Sequence, residues 1–382
     1  KADTEIREKL TKRYEGIGRH YRQFDSNDVF DVLANAYAQS LEPHTSYMSP
    51  STSENFDISM RLSLQGIGAV LRADNEYTTI QRTIPGGPAR ASKQIHTGDR
   101  IVGVGQGVSG KMEDVVGWRL QDVVDKIRGR KDSVVRLQIL PKSAGQAGRS
   151  KTVILMRKEI KLADQAAKSY VVGNLGNAPG INIGVIEVPA FYRDFGAERD
   201  GMDDFRSTTV DVRHLIQELE AKGVNGLLVD LRGNGGGSLK EATDLTGLFI
   251  AKGPVVQMKD SQGNVEVEID SDPSLVYSGP LAVLVDRESA SASEIFAGAI
   301  QDYGRGIVIG EPTFGKGTVQ TLVDLNRFIP RNDTDVGRLR ITMAEFFRIS
   351  GGSTQLKGVE PDIVFPTGLD SSEHGERSLD NA

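Results

Sequence analysis

Residues 223–250 have the sequence GVNGLLVDLRGNGGGSLKEATDLTGLFI, which joins a short apolar run to a glycine-rich loop and a helical segment. An apolar run bounded by glycine predicts a buried strand, and the pattern that starts after Ser238 predicts a helix. The same order recurs on both sides, so that strands and helices alternate from residue 180 to residue 312. This alternation predicts an α/β domain whose largely parallel sheet is covered by helices.

The rest of the chain divides into three further parts. Charged and apolar residues interleave in residues 1–60, which predicts an N-terminal helical segment. Short β-rich runs with two helical pieces predict a small domain over residues 61–145. The α/β core then covers residues 146–366. Residues 367–382 are polar and charged, and we expect a loose terminus or the start of further sequence.

The composition excludes several classes of protein. The 382 residues are 38% hydrophobic and 26% charged, as in soluble globular proteins, and no apolar run approaches the ~18 residues of a membrane span. A net charge of −6 argues against nucleic acid as the main partner. The absence of cysteine excludes disulfides, thiolate catalysis and cysteine-based zinc sites. Because the chain begins at Lys1, we expect a processed protein or an excised fragment.

Three loops rich in glycine or serine follow predicted strands of the α/β domain. They are LRGNGGGS at 231–238, RESASASE at 287–294 and GEPTFGKGT at 310–318. Active sites of open α/β folds lie at the carboxyl ends of the strands. We therefore expect the three loops to meet in one crevice.

The serine-rich loop contains a candidate nucleophile. Ser289, Ser291 and Ser293 precede an apolar helical segment. Ser291 and Glu294 also have the spacing of a capping box, in which the serine satisfies an orphan backbone N–H group. A serine at a helix start also has free amides and the positive end of the helix dipole beside it, which stabilise a developing oxyanion. A serine at the start of a helix is therefore consistent with both a structural cap and a catalytic nucleophile.

A serine nucleophile needs a base, and the chain offers histidine or lysine. The histidines lie outside the strand ends of the α/β domain, so a Ser-His-Asp triad through His44 or His214 remains only an alternative. Lys316 lies between Gly315 and Gly317 in the third loop. Desolvation lowers the pKa of a lysine by several units, and Ser-Lys pairs are a known variant of the triad.

The third loop also resembles a phosphate-binding loop, G-x-x-x-x-G-K. A P-loop needs serine or threonine directly after the lysine to bind Mg²⁺, and here Gly317 occupies that position. Nucleotide binding is therefore the weaker interpretation of this loop.

The small β-rich domain resembles a PDZ domain. The segment Gln65–Gly68, QGIG, stands where such domains have their carboxylate-binding loop, and residues 96–104, HTGDRIVGV, match a second PDZ pattern. The resemblance implies that backbone N–H groups near Gly66, chiefly those of Ile67, Gly68 and Ala69, bind a terminal carboxylate while the peptide adds as a strand. The alternative for this loop alone is a tight glycine turn in a small barrel.

Four longer motifs together resemble the carboxyl-terminal processing proteases, peptidase family S41, and within it the bacterial tail-specific proteases. They are DLRGNGGGSL (230–239), SASASEIFAGAIQDYG (289–304), GEPTFGKGTVQ (310–320) and GGSTQLKGVEPDIVFPTG (351–368). The likeness begins at EPHTSYMSP (42–50) and continues to the end of the chain. It implies an α/β protease core of the ClpP/crotonase type with an inserted PDZ domain and an N-terminal helical segment.

The resemblance assigns Ser291 as the nucleophile, Lys316 as the general base and Gln320 as the residue that orients the lysine. Four residues of extended strand span roughly 13 Å, so direct contact of the lysine and glutamine requires a bend, which Gly317 could supply. Asp302 is sometimes grouped with the serine and lysine. It lies eleven residues after Ser291, roughly 16 Å along a helix, so we expect a supporting role.

The oxyanion hole implied by the resemblance uses two backbone amides. They correspond to Ala292 and Gly237, with Gly236 as the neighbouring alternative. Dense glycine permits the close backbone approach that such a hole requires.

The implied activity is that of a serine endopeptidase that recognises nonpolar C-terminal tails, with no metal or other cofactor. The implied partners are proteins or peptides with free C-termini and an adaptor protein, and the implied location is the bacterial periplasm with peripheral cell-envelope association. The resemblance also implies further helical sequence beyond this region and gating by the PDZ-like domain. The alternative is a PDZ-type adaptor whose protease-like domain is inert.

Overall fold

The computed structural model describes residues 6–7, 10–11, 13–14, 16, 18, 21–145, 148–173, 176, 179–202, 205–329, 335–366 and 374–382. Within it the chain divides into two compact units. The first unit comprises residues 1–29 and 63–162, and the second unit comprises residues 30–62 and 163–382.

Helices occur in both units. They are α1 (Ser26–Gln39), α2 (Pro50–Arg61), α3 (Pro88–Ala91), α4 (Leu120–Ile127), α5 (Phe195–Arg199), α6 (Thr208–Ala221), α7 (Leu239–Gly247) and α8 (Ala292–Asp302). Serine side chains cap two of them: Ser207 Oγ accepts from the Val210 N–H at the start of α6, and Ser238 Oγ accepts from the Glu241 N–H at the start of α7. None of the helices in the described part of the chain is long and apolar enough to cross a membrane.

The strands, in chain order, are β1 (Ser46–Met48), β2 (Ser63–Gly66), β3 (Ala69–Asp74), β4 (Tyr77–Thr83), β5 (Arg100–Gln106), β6 (Met112–Asp114), β7 (Val134–Leu140), β8 (Lys151–Met156), β9 (Lys158–Lys161), β10 (Lys168–Val172), β11 (Ile183–Glu187), β12 (Gly226–Asp230), β13 (Gly253–Asp260), β14 (Val265–Asp270), β15 (Leu281–Val285), β16 (Ile307–Gly310), β17 (Thr318–Asp324), β18 (Arg338–Phe347) and β19 (Ile363–Val364).

The first unit is a small β domain. Its larger sheet has the order β3-β4-β5-β7-β8, with β6 paired to β5, and β2 pairs separately with β9. All of these pairs are antiparallel. The centre of its core includes Ile80, Ile101 and Leu137, none of which is more than 1% exposed. Alternate residues of β7 are buried, which is the burial pattern of a strand with one face on a core.

The second unit contains the predicted parallel sheet. Its order is β10-β11-β12-β15-β16-β19, and every pair except the antiparallel β10–β11 pair is parallel. The prediction of a largely parallel sheet is confirmed. The apolar runs of β12 and β15 are largely buried, because helices cover such a sheet.

An antiparallel sheet in the same unit was not predicted. It has the order β1-β18-β13-β14, with β17 paired to β18. Its strands carry many exposed and half-buried residues and alternate polar with apolar side chains, so they lack the continuous apolar signal of the parallel strands. This sheet includes β17, which directly follows the loop that contains Lys316.

Helix α8 lies in the core of the second unit. Its residues from Ala292 to Ile300 are all buried, and it contacts α7, β13 and β16. Phe296 packs with its ring centroid 6.5 Å from that of Phe191 and 5.8 Å from that of Phe249. Burial on all sides fixes the position of the residue that precedes this helix, Ser291.

Candidate active site

The three serines before α8 have different surroundings. Ser289 and Ser293 are fully buried, and their hydroxyl groups donate to the carbonyl oxygens of Leu231 (2.8 Å) and Asn234 (2.9 Å). Ser291 is half-buried and has a left-handed φ of 55°, which a non-glycine residue seldom adopts. Strained backbone of this kind is concentrated at functional sites. Of the three, Ser291 is the serine whose surroundings suit a nucleophile.

The Glu294 carboxylate connects the serine loop to the lysine loop. Its Oε2 accepts from the backbone N–H groups of Ser291 (2.7 Å) and Lys316 (3.0 Å), and its Oε1 accepts from Gly315 N–H (2.7 Å) and Thr313 Oγ1 (2.6 Å). The backbones of the candidate nucleophile and base therefore lie on one carboxylate oxygen. The sequence indicated Glu294 only as half of a capping box.

The charge state of Glu294 follows from two opposing effects. The side chain is completely buried, and burial raises its pKa to about 7. The four donors oppose that increase, because they stabilise the ionised form. Above pH 7 the carboxylate is therefore a charged acceptor at the centre of the site.

Lys316 is half-buried, and its Nζ donates to Gln320 Oε1. The Gln320 amide is oriented in turn, because its Nε2 donates to Thr318 Oγ1 (2.9 Å) and Thr342 Oγ1 (3.0 Å). Within the described residues, no carboxylate forms an ion pair with the Lys316 amine. The amide oxygen holds the amine without requiring that it be charged.

Burial is the main cause of an unusual pKa at Lys316. Desolvation, with a smaller contribution from the Arg340 guanidinium, lowers the pKa of the amine to about 8. The carboxylates of Glu376, Glu294 and Glu42 act in the opposite direction. A pKa near working pH is the property that a general base requires.

The backbone is irregular on both sides of the contact between Lys316 and Gln320. Gly315 has the left-handed φ of 94°, and the pairing of β17 with β18 shifts register between Val319 and Gln320. Gly317 has another role, because a Cβ atom there would lie 2.7 Å from the backbone nitrogen of Gln355. The glycine thus allows a close approach of two loops.

The glycine-rich loop lies directly against the serine. A Cβ atom on Gly236, whose φ is 102°, would lie 2.9 Å from Ser291 Cβ, and the Gly236 N–H donates to Asn234 Oδ1 (2.9 Å). Among the described residues no acceptor binds the N–H groups of Gly237 and Ala292. These two amides are therefore available to an oxyanion, whereas that of Gly236 is already bonded.

Asp302 lies at the other end of α8 from Ser291. Its carboxylate accepts from Arg348, with Nη2 at 2.6 Å from Oδ1 and Nε at 3.0 Å from Oδ2, and also from Ser350 Oγ at 3.3 Å. This paired arrangement joins the end of α8 to the residue after β18. Asp302 remains the site prediction for which the geometry offers only a supporting role.

We expect Asp302→Asn to lower the free energy of unfolding by about 1 to 2 kcal/mol, because it weakens a largely buried ion pair. Any loss of cleavage should accompany that loss of stability, with no change in the pH dependence of kcat/KM. Urea denaturation and a pH–rate profile of the variant measure the two effects. A shifted profile at unchanged stability would show that Asp302 exchanges protons.

The two alternative chemistries lack support in the geometry. His44 Nε2 bonds to the Glu376 carboxylate at 2.8 Å, and His214 is exposed on α6. The lysine loop leads into a strand, β17, whereas a P-loop leads into a helix. No group of three or more metal-ligating side chains occurs among the described residues.

The predicted carboxylate-binding loop lies between β2 and β3 of the first unit. Gly68 has a φ of 71°, and a Cβ atom there would lie 2.8 Å from Gly87 Cα. The carbonyl groups of Ile67 and Gly68 accept from Ala89 (2.8 Å) and Ile84 (2.8 Å). In the described part of the chain no acceptor binds the N–H groups of Ile67 and Gly68. The loop is thus held by its carbonyl groups while two amides stay available to an anion.

Three family models match the chain. The tail-specific protease N-terminal domain matches residues 1–51, the PDZ domain matches residues 56–140, and peptidase family S41 matches residues 182–365.

Among curated proteins, the tail-specific protease of Haemophilus influenzae is 46% identical over 379 residues, which are 99% of this chain and 52% of that protein. The carboxy-terminal processing protease CtpA of Bacillus subtilis is 30% identical over 359 residues, which are 93% of this chain and 68% of that protein. The chain therefore spans about half the length of the Haemophilus protein.

Two solved structures are also similar. A photosystem II D1 C-terminal processing protease is 26% identical, with a TM-score of 0.48 over 94% of this chain and 87% of that chain. The PDZ domain of a carboxy-terminal protease from Vibrio cholerae, in complex with peptide, is 50% identical, with a TM-score of 0.25 over 26% of this chain and 100% of that chain.

Proposed function

Because the chain belongs to peptidase family S41, with a PDZ domain and a tail-specific protease N-terminal domain, we propose that it cleaves proteins through a Ser291–Lys316 dyad after binding their nonpolar C-terminal tails. One observation supports the dyad above all others. Glu294 Oε2 accepts from the backbone amides of both residues. In addition, burial lowers the pKa of Lys316 to about 8, toward the range that a general base requires.

The first chemical step is a proton transfer. Neutral Lys316, held by Gln320 through one N–H, takes the proton of Ser291 Oγ as that oxygen attacks the scissile carbonyl. The carbonyl oxygen becomes an oxyanion and receives the N–H groups of Gly237 and Ala292. Lys316, now an ammonium, gives the proton to the leaving amine. Water then attacks the acyl-enzyme, with Lys316 again as the base, and releases the second product.

Recognition of the substrate is assigned to the PDZ domain. The terminal carboxylate of the substrate accepts from the Ile67 and Gly68 N–H groups, with Ala69 at the start of the strand that the peptide extends. Backbone amides bind the terminal carboxylate of any substrate. A preference for nonpolar tails therefore comes from the side chains of the domain that contact the tail residues. We also propose that the protein binds an adaptor protein and acts in the bacterial periplasm at the cell envelope.

Gly66→Val tests the recognition step. Gly66 has no left-handed φ, and among the described residues its Cβ atom would meet only the flexible end of Leu64 at 3.2 Å, so the domain should fold. The branched side chain narrows the entrance to the neighbouring loop. We expect cleavage of a tailed reporter to fall about tenfold, while cleavage of a short internal peptide stays within twofold. Equal loss on both substrates, or on neither, would contradict recognition by this loop.

The complete proposal is tested with one reporter protein in two forms, one with an apolar tail of five residues and one with a charged tail. The chain should degrade the apolar form faster, and Ser291→Ala should abolish cleavage while peptide binding measured by fluorescence anisotropy persists. Binding without cleavage by the unaltered chain would favour an inert adaptor. Cleavage by Ser291→Ala would exclude the assigned nucleophile.

A further inference from the structure

A short segment near residue 376 packs on the loop that carries Lys316. The Glu376 N–H donates to the carbonyl of Phe314 (2.9 Å), and the Arg377 guanidinium donates to the carbonyl of Leu356 (2.7 Å). Gly375 has a φ of 79°, and a Cβ atom there would lie 2.4 Å from Phe314 O. This part of the polar tail is therefore not a loose terminus.

The Glu376 carboxylate is the buried centre of this contact. The residue is 0% exposed, and its two oxygens lie 2.8 and 2.9 Å from His44 Nε2. Its Oε1 also accepts from Gln355 Nε2 (2.9 Å), and Gln355 Oε1 accepts from the Gly317 N–H (2.6 Å). The Gln355 side chain thus connects the Glu376 carboxylate to Gly317, the residue beside Lys316.

The loop that contains Gln355 also bonds directly to the backbone of Gly315 and Lys316. The Leu356 N–H donates to the carbonyl of Gly315 (2.8 Å), and Thr354 Oγ1 donates to the carbonyl of Lys316 (3.3 Å). Residues 354–356 therefore bond to each of the three residues of the G-K-G sequence. Gln355 is therefore one of the residues that hold the backbone around Lys316 in place.

Four charged groups act on the Lys316 amine, and they come from different elements. Arg340 on β18 opposes its protonation, whereas Glu376, Glu294 on α8 and Glu42 before β1 favour it. Glu42 Oε1 is buried and lacks a hydrogen-bond partner among the described residues, and Glu42 Oε2 accepts from the His44 N–H (3.0 Å). Glu376 is the carboxylate whose effect is the largest of the three.

We propose that Glu376 is a positioning residue for the Ser291–Lys316 reaction: held by His44, its carboxylate fixes the lysine loop through Gln355 and stabilises the ammonium that Lys316 becomes when it accepts the serine proton. The inference rests on the proposed function. The role is comparable to that of the aspartate in a Ser-His-Asp triad, which orients the base and stabilises its charged form.

The test is the rate at which a fluorophosphonate probe labels Ser291 in the full chain at pH 6 and pH 9. Glu376→Gln removes the negative charge, so more of Lys316 is neutral at the lower pH. We expect the ratio of the pH 6 rate to the pH 9 rate to rise about threefold, with a lower rate at pH 9. Glu376→Asp keeps the charge but shortens the side chain, so it should lower the rate at pH 9 and keep the wild-type ratio.

Arg377→Gln is the matched control, because it weakens the docking of the same segment through an exposed side chain and leaves Glu376 in place. Its pH ratio should equal that of the wild type. An unchanged ratio in Glu376→Gln, or an equal change in Arg377→Gln, would overturn the inference. If Glu376→Gln does not fold by circular dichroism, Gln355→Leu decides: about tenfold slower labelling at pH 9 supports the link, and unchanged labelling contradicts it.

Labelling of Lys316→Ala distinguishes failure of the proposed function from failure of the inference about Glu376. If Lys316→Ala is labelled as fast as the wild type, the dyad itself is wrong. If labelling requires Lys316 but Glu376→Gln has the same ratio of the pH 6 rate to the pH 9 rate as the wild type, only the positioning role of Glu376 is wrong.

Discussion

Lys316→Ala is expected to reduce kcat/KM for peptide cleavage by about 10⁴-fold, because Ser291 then has no base and the leaving amine has no proton donor. Lys316→Arg should be equally inactive, since a guanidinium keeps its proton throughout the working pH range. Initial rates on a short fluorogenic peptide measure the loss without involving tail recognition.

The control for this prediction is Lys357→Ala. Lys357 is an exposed lysine of the loop that packs on the G-K-G sequence, and its backbone N–H donates to the carbonyl of Thr354. Its removal changes the net charge equally, so activity should stay within about twofold. Activity retained by Lys316→Ala, or lost to the same extent in Lys357→Ala, would contradict a specific role for Lys316.

Glu294→Gln is expected to lower the free energy of unfolding by about 3 kcal/mol and kcat/KM by about 10²-fold. The carboxylate accepts four hydrogen bonds in a fully buried position, two on each oxygen. An amide keeps one acceptor oxygen and turns an NH₂ group toward the remaining donors, which leaves them unpaired. In either orientation of the amide, the lysine loop loses a hydrogen bond to residue 294, from Lys316 or from Gly315. The resulting displacement of Lys316 lowers the rate, because catalysis is sensitive to small displacements of the reacting groups.

Glu311→Gln is the matched control for Glu294. Glu311 lies in the lysine loop but is partly solvent-exposed, and its ion pair with Arg287 measures 3.1 Å. Such a pair contributes at most about 1 kcal/mol, and it reaches Arg287 at the start of the serine loop rather than Ser291. Urea denaturation and kcat/KM should therefore change little. A small effect of Glu294→Gln on both quantities would show that the shared carboxylate does not hold the site together.

The sequence predicted the elements of the second unit where the apolar signal is continuous. β12 and β15 are buried within a helix-covered sheet, so their apolar runs identified them directly. The strand β18 alternates exposed and buried residues and was not predicted. Loops at the strand ends could be identified from their glycine and serine content, because such residues permit unusual backbone geometry and close approach.

The sequence indicated the candidate chemical groups of the site but not the residues that hold them in place. The role of Glu294 as an acceptor for the lysine loop depends on a contact between residues 22 positions apart, and that of Glu376 on a contact with His44 that spans 332 positions. A single sequence contains no local pattern for such pairs. The available signal was Glu294 itself, an acidic residue in the first turn of a predicted apolar helix. A capping box explained its presence equally well.

The central claim is that burial lowers the pKa of the Lys316 ε-amine far enough for its neutral form to act as the base. It is tested most directly by NMR titration of the full chain with ¹³C-labelled lysine side chains, with Lys316→Arg used to assign the resonance. The account predicts that one lysine resonance titrates with a pKa of about 8 and is absent from the variant. Titration of Lys316 at the ordinary lysine pKa of 10.5 would contradict the account.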